Sequence, residues 1–268
     1  MLNTIGFLGC GNMGRAIARA VCKAADPQNV WLANRTAAKA EALAAELGCN
    51  TTINDEVAGR CGLIFLAVKP QMMEELLAPL RFTLAERPSR FVLCSMAAGL
   101  SIARIQEMAG SDCPVIRIMP NTPASVGAGM IQYCTSNVTA EEEAEFLKLM
   151  APAGRLDAVP EGLIDAASCV SGCGPAWVYQ FIEALADGGV ACGLPRAKAQ
   201  EYAAQMVLGS AKLVLESGQH PGALKDAVCS PGGSTIQGVR VLEEKGLRGA
   251  VMDAVIASYN KTKEMGKG

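Results

Sequence analysis

The chain is poor in histidine, in charge and in long apolar runs. His220 is the one histidine among 268 residues, and it lies in a Gln-His-Pro-Gly segment typical of a loop. A Ser-His-Asp or Cys-His enzyme would depend on it entirely, which makes that class a poor candidate. Charged residues make up 19% of the chain, below the roughly 25% typical of soluble proteins. Because 50% of the residues are hydrophobic, we expect extensive buried or subunit-facing surface rather than disorder.

Neither nucleic acid nor a membrane is an expected partner. The net charge of −2 gives no electrostatic reason to bind nucleic acid or an anionic membrane surface. No apolar run approaches the roughly 18 residues that a membrane-spanning helix needs. The amino-terminal residues lack the basic start and the long apolar stretch of a secretion signal. We therefore expect a cytoplasmic protein whose partner is a small molecule.

The chain has 11 cysteines, but their arrangement argues against a metal or disulfide scaffold. They are scattered, odd in number and contain no Cys-x-x-Cys pair, and a single histidine is available to join them. A zinc site or a disulfide framework is therefore not expected. We expect reduced thiols that pack as small hydrophobic side chains.

Strand-like and helix-like segments alternate over residues 1–157, the pattern of a parallel sheet covered by helices. Helices are predicted from Met13 to Ala24, from an N-cap at Thr36 to Gly48, and from the capping box at Thr139 to Met150. Five short apolar runs predict buried strands. These runs are Thr4 to Leu8, Val30 to Ala33, Leu63 to Val68, Phe91 to Met96 and Val115 to Met119.

Residues 158–268 are predicted to form an all-α domain. Strand-like runs nearly vanish there, and helical stretches follow at Ala176 to Cys192, Arg196 to Ser217, Ser234 to Glu244 and Leu247 to Lys263. These helices carry apolar residues on more than one face, which indicates burial on two sides. We therefore expect this domain to dimerise, with a larger intramolecular core as the alternative.

A glycine-rich turn follows the first predicted strand. Gly9, Gly11 and Gly14 form a G-x-G-x-x-G motif with Asn12 and Met13 inside it, and a helix opens there. The strand–turn–helix setting is the one in which this motif binds a dinucleotide pyrophosphate, with the charge facing the helix amides. The fold class is therefore α/β: an N-terminal Rossmann-type doubly wound parallel sheet followed by an all-α dimerisation domain.

The end of the second strand indicates which dinucleotide binds. An NAD-preferring site places Asp or Glu about 20 residues beyond the glycines, but this chain has Asn34 and Arg35, with Lys39 one turn on. A guanidinium attracts a 2′-phosphate and covers an adenine face. We therefore expect NADPH to be the cofactor and NADH to be used less well. The alternative is a solvated arginine at a helix start.

Two further loops leave predicted strands at the edge where such sheets bind ligands. They are expected to approach the nicotinamide ribose, and Lys69 can donate to ribose or phosphate oxygens. Asn54 is a further candidate cofactor-binding residue. The two loops consist of Ala67, Val68, Lys69 and Pro70, and of Ala97, Ala98 and Gly99.

One long segment of the helical half resembles the signature of pyrroline-5-carboxylate reductases. It runs from Pro221 to Gly238 and is followed by Val239, Leu242 and Glu243. Supporting matches are Ala67 to Pro70, Met119 to Pro123 and Ser171 to Ala176, so the resemblance covers essentially the whole chain. It implies reduction of 1-pyrroline-5-carboxylate, a cyclic imino acid, to L-proline with NAD(P)H. It also implies a homodimer, which some members assemble into larger rings.

The segment from Ser230 to Thr235 is the candidate substrate site. Its Pro-Gly-Gly turn runs into a helix and leaves backbone amides free to bind the substrate carboxylate. We assign substrate binding to Ser230, Gly232, Gly233, Ser234 and Thr235. The resemblance further implies that Thr235 lies beside the imine nitrogen and is the catalytic residue. A loop and helix cap without a ligand is the alternative.

Two other functions remain open at this point. A 3-hydroxyacid dehydrogenase would also pair such a turn with a helical domain, but its G-x-G-x-x-x-K motif has Val178 in the lysine position here. No lysine occurs between Lys148 and Lys198, so alcohol oxidation lacks its usual base. The second alternative is a non-catalytic NADPH sensor.

Overall fold

The computed structural model describes residues 2–265, which form two compact units. The first consists of residues 2–173 together with 258–265, and the second is Gly174–Ala257. The units divide after residue 173, whereas the sequence analysis divides the domains after residue 157. The difference arises because the helix over Glu161–Ser171 packs on a strand of the first unit.

An eight-stranded sheet is the centre of the first unit, with the strand order β3-β2-β1-β4-β5-β6-β7-β8. Neighbours are parallel except for the antiparallel pair β6 and β7. The strands are β1 (Ile5–Leu8), β2 (Val30–Ala33), β3 (Asn50–Thr51), β4 (Leu63–Leu66), β5 (Val92–Ser95), β6 (Val115–Met119), β7 (Gly129–Ser136) and β8 (Gly154–Ala158).

Helices cover both faces of this sheet and make up the second unit. Those of the first unit are α1 (Asn12–Ala24), α2 (Ala37–Leu47), α3 (Asn54–Arg60), α4 (Met73–Leu77), α5 (Arg81–Glu86), α6 (Ile102–Ala109), α7 (Ala140–Met150) and α8 (Glu161–Ser171). Those that follow are α9 (Gly174–Ala191), α10 (Arg196–Ser217), α11 (Pro221–Val228), α12 (Ser234–Glu244) and α13 (Leu247–Met265).

The predicted doubly wound α/β fold is confirmed, with one correction to the sheet. The five predicted strands form as β1, β2, β4, β5 and β6, and their central residues are buried on both faces. Strands β3, β7 and β8 were not predicted from the sequence. The sheet is not wholly parallel, because a short turn over Thr122–Val126 returns the chain directly beside β6 as the antiparallel β7.

Two hydrophobic clusters, one on each face, fix the carboxyl edge of the sheet. Phe7 stacks on Phe65 with ring centroids 4.5 Å apart, and the cluster around them includes Ile17 and Val21 of α1. The other face packs Leu8 and Leu66 against Met73 of α4 and Ile105 of α6. Because these contacts place α1 and α4 against neighbouring strands, the loops that follow β1 and β4 are held side by side.

A polar clamp holds the end of α8. The side-chain nitrogen of Asn121 donates to the backbone carbonyl of Ser171 at 2.9 Å, and its side-chain oxygen accepts from the backbone amide of Met130 at 3.1 Å. The hydroxyl of Ser171 donates to Gln132 at 2.8 Å. Since Asn121 and Gln132 are buried, these hydrogen bonds satisfy groups that would otherwise be costly.

The second unit buries very little of itself. Its buried side chains are those of Ala186, Ala199 and Ala203, where α9 packs against α10. Large apolar side chains stay exposed along its helices, among them Met206, Leu213 and Leu215. Such a unit has little hydrophobic core of its own.

None of the described helices is long and apolar enough to cross a membrane. All 11 cysteines are free thiols, and five of them are buried. The predicted role as core hydrophobes is therefore confirmed for those five, whereas Cys192 is exposed. Burial raises the pKa of Cys10, in the glycine-rich turn, to about 11, so this thiol is protonated at neutral pH.

Candidate cofactor and substrate sites

The glycine-rich motif requires glycine at two positions, one in the turn after β1 and one in the first turn of α1. Gly9 has φ of +114°, and a Cβ there would lie 2.5 Å from the carbonyl oxygen of Ala67. A Cβ on Gly14 would lie 2.5 Å from the carbonyl oxygen of Gly9. These glycines therefore let α1 begin directly against the turn and let the β1 and β4 loops touch.

Gly11 differs from the other two glycines of the motif. It is the N-cap of α1 with φ of −71°, which any residue adopts, and a Cβ there would meet nothing within 4 Å. No side chain caps the α1 amides, and its first turn carries no acidic residue. The space above Gly11 is open, and the free amides face it, as an anion-binding helix N-terminus requires. This arrangement fits a dinucleotide pyrophosphate.

Asn34 ties the glycine-rich turn to the end of β2. Its side-chain oxygen accepts from the Cys10 amide at 2.9 Å, and its side-chain nitrogen donates to the Thr36 carbonyl at 2.9 Å. The Gly9 amide also donates to the Ala33 carbonyl at 2.8 Å. These hydrogen bonds hold the pyrophosphate turn and the Arg35 loop in a fixed relation.

A cavity of about 440 Å³ lies along this edge of the sheet. It is formed by the loops after β1, β2 and β4 and by the first residues of α3 and α4. Eight predicted cofactor-binding residues line it, and these are Gly9, Gly11, Asn34, Arg35, Asn54, Ala67, Val68 and Lys69. The structure therefore brings together residues from four separate loops that the sequence analysis assigned to one ligand.

Six predicted cofactor-binding residues do not line this cavity. Asn12 and Met13 lie in the first turn of α1, and Pro70 begins the turn after Lys69. Ala97 is 1% exposed, and Gly99 has φ of +76° in the loop after β5. Their contacts with a cofactor, and those of Ala98, stay predictions.

The basic residues at the cavity have no acidic partner among the described residues. Arg35, Lys39 and Lys69 all line it and are exposed, and none of them forms an ion pair with a residue that the structure describes. Unpaired cations at the end of β2 attract a 2′-phosphate, whereas the carboxylate typical of NAD-preferring sites would repel it. The cavity thus has the charge that NADPH requires.

The structure also shows lining residues that the sequence analysis did not assign. Met72 directly precedes α4, and Glu75 and Leu76 lie within it. Glu75 and Leu76 also line a neighbouring cavity of about 700 Å³, together with Ile53 and Glu41. These residues lie four to eight positions beyond Val68. This spacing could have predicted them as lining residues, because α4 begins near the carboxyl edge of β4.

The candidate substrate turn lies in the second unit. Ser230, Pro231, Gly232 and Gly233 form a turn in which the Gly233 amide donates to the Ser230 carbonyl at 3.0 Å and Gly232 has φ of +69°. This geometry is a type II turn, which requires glycine at its third position. A Cβ on Gly233 would lie 2.4 Å from the Ser230 hydroxyl, so a larger residue there would require the Ser230 side chain to rotate away.

The turn leads into an open helix N-terminus. Gly233 is the N-cap of α12, and no side chain caps the amides of the first turn. Ser234 and Thr235 are exposed, and among the described residues their hydroxyls, like that of Ser230, have no hydrogen-bond partner. Unpaired helix amides and three hydroxyls without described partners therefore lie within one short exposed segment, which suits a small carboxylate.

Replacing Gly11 with alanine separates cofactor binding from folding. Because the added methyl group meets no protein atom, we expect the melting temperature to stay within about 2 °C of the wild type. The methyl group fills the space above the α1 amides, so the Kd for NADPH should rise about tenfold or more. Gly9→Ala is the matched variant, and its clash with Ala67 and its positive φ should lower the melting temperature clearly. Calorimetry and fluorescence titration would measure both, and an unchanged Kd in Gly11→Ala would contradict this placement of the pyrophosphate.

The fold and the glycine-rich turn define a dinucleotide-dependent oxidoreductase with a Rossmann domain and a helical second unit. Comparison with known families agrees with this class. The pyrroline-5-carboxylate reductase dimerisation family matches residues 161–265, and the family of coenzyme F420-dependent NADP oxidoreductases matches residues 4–99.

Comparison with single proteins is more specific. The chain is 43% identical to pyrroline-5-carboxylate reductase of Escherichia coli over the full length of both. It is 46% identical to that of Synechocystis over 80% of this chain and 79% of the other. The crystal structure of the Plasmodium falciparum pyrroline carboxylate reductase with NADP bound superposes with a TM-score of 0.89 at 35% identity, over 99% of each chain. The chain belongs to the pyrroline-5-carboxylate reductase family.

Proposed function

We propose that this chain reduces 1-pyrroline-5-carboxylate to L-proline with NADPH, the last step of proline biosynthesis. The observation that carries the proposal is the full-length similarity to reductases that catalyse this reaction. The geometry agrees with it, because one unit has a cavity suited to a phosphorylated dinucleotide and the other has an exposed turn suited to a small carboxylate.

The first unit binds and orients the cofactor. Bound NADPH supplies the hydride. The α1 amides above Gly11 bind the pyrophosphate, and the Arg35 guanidinium and the Lys39 ammonium bind the 2′-phosphate. Lys69 donates to ribose or phosphate oxygens on the β4 side. Together these contacts fix the cofactor at several points along its length, which reduces the entropic part of the barrier.

The second unit binds the imino acid. The free amides at the start of α12 and the Ser230 and Ser234 hydroxyls bind its carboxylate. The Thr235 hydroxyl lies one residue on, where it holds the imine nitrogen and assists proton delivery to it. A protonated imine is already electrophilic, so the chain needs no strong acid or base, and its single histidine is not required for the chemistry.

One assay tests this function against its alternatives. NADPH absorbance is followed with 1-pyrroline-5-carboxylate, with a 3-hydroxyacid plus NADP⁺, and with no second substrate. We expect consumption of NADPH and formation of L-proline in the first reaction only. Activity confined to the hydroxyacid would favour a 3-hydroxyacid dehydrogenase, and cofactor binding without turnover would favour a sensor.

We also propose that the second unit forms a homodimer. It exposes large apolar side chains on α9, α10, α12 and α13 while burying only three alanines, so its hydrophobic surface needs a partner. The dimerisation family that matches this region supports a second copy of the chain as that partner. Assembly of dimers into a larger ring, implied by the resemblance, is a further proposal. The mass of the wild-type chain in analytical ultracentrifugation tests it.

Charge placed on α10 should break this dimer. Met206 and Leu213 are 46% and 54% exposed and lie seven residues apart, on one face of the helix. The double variant Met206→Lys/Leu213→Lys should shift the mass from dimer to monomer in analytical ultracentrifugation, since unpaired charges are costly at a buried interface. Phe82→Lys is the control, because Phe82 is 76% exposed in the first unit and should leave the dimer intact. An undisturbed dimer in the double variant would place the interface elsewhere.

A cytoplasmic location is proposed on the basis of the thiols. The 11 cysteines are all free, which is typical of proteins kept in a reducing compartment. Fractionation of cells that produce the tagged chain would test it, with recovery outside the cytoplasm as the contrary result.

A further inference from the structure

The cofactor cavity contains one carboxylate among its described lining residues. Glu75 of α4 lines the cavity of about 440 Å³ that also contains Arg35, Lys39 and Lys69. It lines the neighbouring cavity of about 700 Å³ as well, where Arg35 again appears. Glu75 therefore lines both cavities. It comes from α4, which follows β4, whereas Arg35 comes from the loop after β2.

Glu75 is free to act on a ligand. Its side chain is exposed and forms no ion pair or hydrogen bond within the described part of the chain. The neighbouring Glu74 behaves differently, since it pairs with Arg81 at 2.9 Å and Arg104 at 3.8 Å and lines neither cavity. Asp55, in the neighbouring cavity, accepts a hydrogen bond from Thr83 at 2.5 Å. Glu41 lines the neighbouring cavity but not the cofactor cavity, so among the described residues only Glu75 brings an unpartnered carboxylate into the cofactor cavity itself.

We propose that Glu75 determines cofactor specificity by lowering the preference of the site for NADPH over NADH. A carboxylate repels the 2′-phosphate, which carries up to two negative charges, and so opposes Arg35 and Lys39. The same carboxylate accepts hydrogen bonds from ribose hydroxyls, as the acidic residue of NAD-preferring sites does from the end of β2. In this chain Arg35 and Lys39 come from the loop after β2 and the start of α2, the acidic residue comes from α4, and all three line one cavity.

This inference rests on the proposed cofactor site, and binding measurements separate the two. The probes are 2′-phospho-ADP-ribose and ADP-ribose, which differ only in the 2′-phosphate, and isothermal titration calorimetry gives a Kd for each without any turnover. The wild-type chain should bind both probes, and the 2′-phosphorylated one more tightly. If it binds neither, the proposed cofactor site is wrong and the role of Glu75 falls with it.

The test variant is Glu75→Gln, which keeps the shape of the side chain and removes its charge. We expect the Kd for 2′-phospho-ADP-ribose to fall about fivefold and that for ADP-ribose to rise about twofold, as suits an exposed and partly screened charge in the same cavity. The ratio of the two dissociation constants then changes about tenfold. Glu74→Gln is the matched control, because it removes the same charge one residue away and should leave the ratio within about twofold of the wild type.

Salt distinguishes an electrostatic role from a structural one. Raising the ionic strength from about 0.05 M to 0.5 M should shrink the effect of Glu75→Gln on the ratio, because screening weakens the repulsion. A ratio that changes less than about threefold at low salt, or equally at both salt concentrations, would overturn the proposal. Tighter binding of both probes by the same factor would also overturn it, since Glu75 would then not distinguish the phosphate.

Discussion

Replacing Thr235 with alanine should lower kcat by about 100-fold while the Kd for NADPH stays within about twofold of the wild type. Thr235 lies in the first turn of α12. Its side chain is exposed, and its hydroxyl forms no hydrogen bond with a described residue. It belongs to the second unit, whereas the residues around the cofactor cavity belong to the first. A loss confined to turnover is therefore the expected signature of a residue that touches the substrate.

Conservative variants separate the hydroxyl from the methyl group of Thr235. Thr235→Ser keeps the hydroxyl and should retain most of the activity, whereas Thr235→Val keeps the shape and should resemble the alanine variant. All three substitutions lie in an exposed first helical turn, so we expect the melting temperature to change by less than about 3 °C.

Steady-state kinetics with 1-pyrroline-5-carboxylate, together with fluorescence titration of NADPH, would measure these effects. Equal losses in the serine and valine variants would mean that the hydroxyl does not act. Unchanged turnover in Thr235→Ala would remove Thr235 from the mechanism and leave substrate binding to the turn that precedes it.

The strands that the sequence predicted correctly share one physical property. β1, β2, β4, β5 and β6 lie inside the sheet with helices on both faces, so their residues are mostly apolar, and the buried Ser95 of β5 and Arg117 of β6 are the polar exceptions. Two long helices were predicted equally well, since α10 and α12 begin and end at the predicted residues. Pro195 precedes α10 and Gly218 follows it, and both are strong helix-boundary residues. Elements with continuous burial and clear helix-start and helix-stop residues can therefore be predicted from the local sequence pattern.

The missed strands have neither property. β3 and β8 are the two edge strands: β8 is largely exposed, with Arg155 and Asp157 in its sequence, and β3 has only two residues. β7 contains the buried polar residue Gln132, whose partner Ser171 lies on α8, 39 residues away. Its strand character depends on tertiary contacts, so a local pattern does not reveal it.

The candidate site divides in the same way. The glycine-rich turn and Arg35 follow from local motifs, because their spacing to β1 and β2 is fixed within one strand–helix–strand unit. Glu75 was not assigned, because its place at the cavity depends on how α4 packs through Met73 and Leu77 against the sheet. The role of the turn from Ser230 to Thr235 came mainly from resemblance, since a helix cap without a ligand has the same local sequence features.

Reversing the charge at Arg35 should produce the largest change in cofactor use. In Arg35→Glu, we expect the KM for NADPH to rise on the order of 100-fold, because a charge-assisted pair is lost and a repulsion replaces it. The KM for NADH should change less than about threefold, since NADH has no 2′-phosphate. Arg35 has no acidic partner among the described residues, so the substitution breaks no ion pair of the fold.

Arg155→Glu is the control for this experiment, because it reverses an exposed charge on β8, outside the cofactor cavity. It should leave both KM values near those of the wild type, which would show that the effect of Arg35→Glu is local and not a result of the changed net charge. The combination Arg35→Glu/Glu75→Gln then asks whether the two residues act on the same phosphate. If they do, removing the Glu75 repulsion should recover part of the lost NADPH affinity, and the two effects should not be additive. Equal increases in KM for NADPH and NADH in Arg35→Glu would instead mean that Arg35 binds a part common to both cofactors, and the basis for NADPH preference would then lie outside the loop after β2.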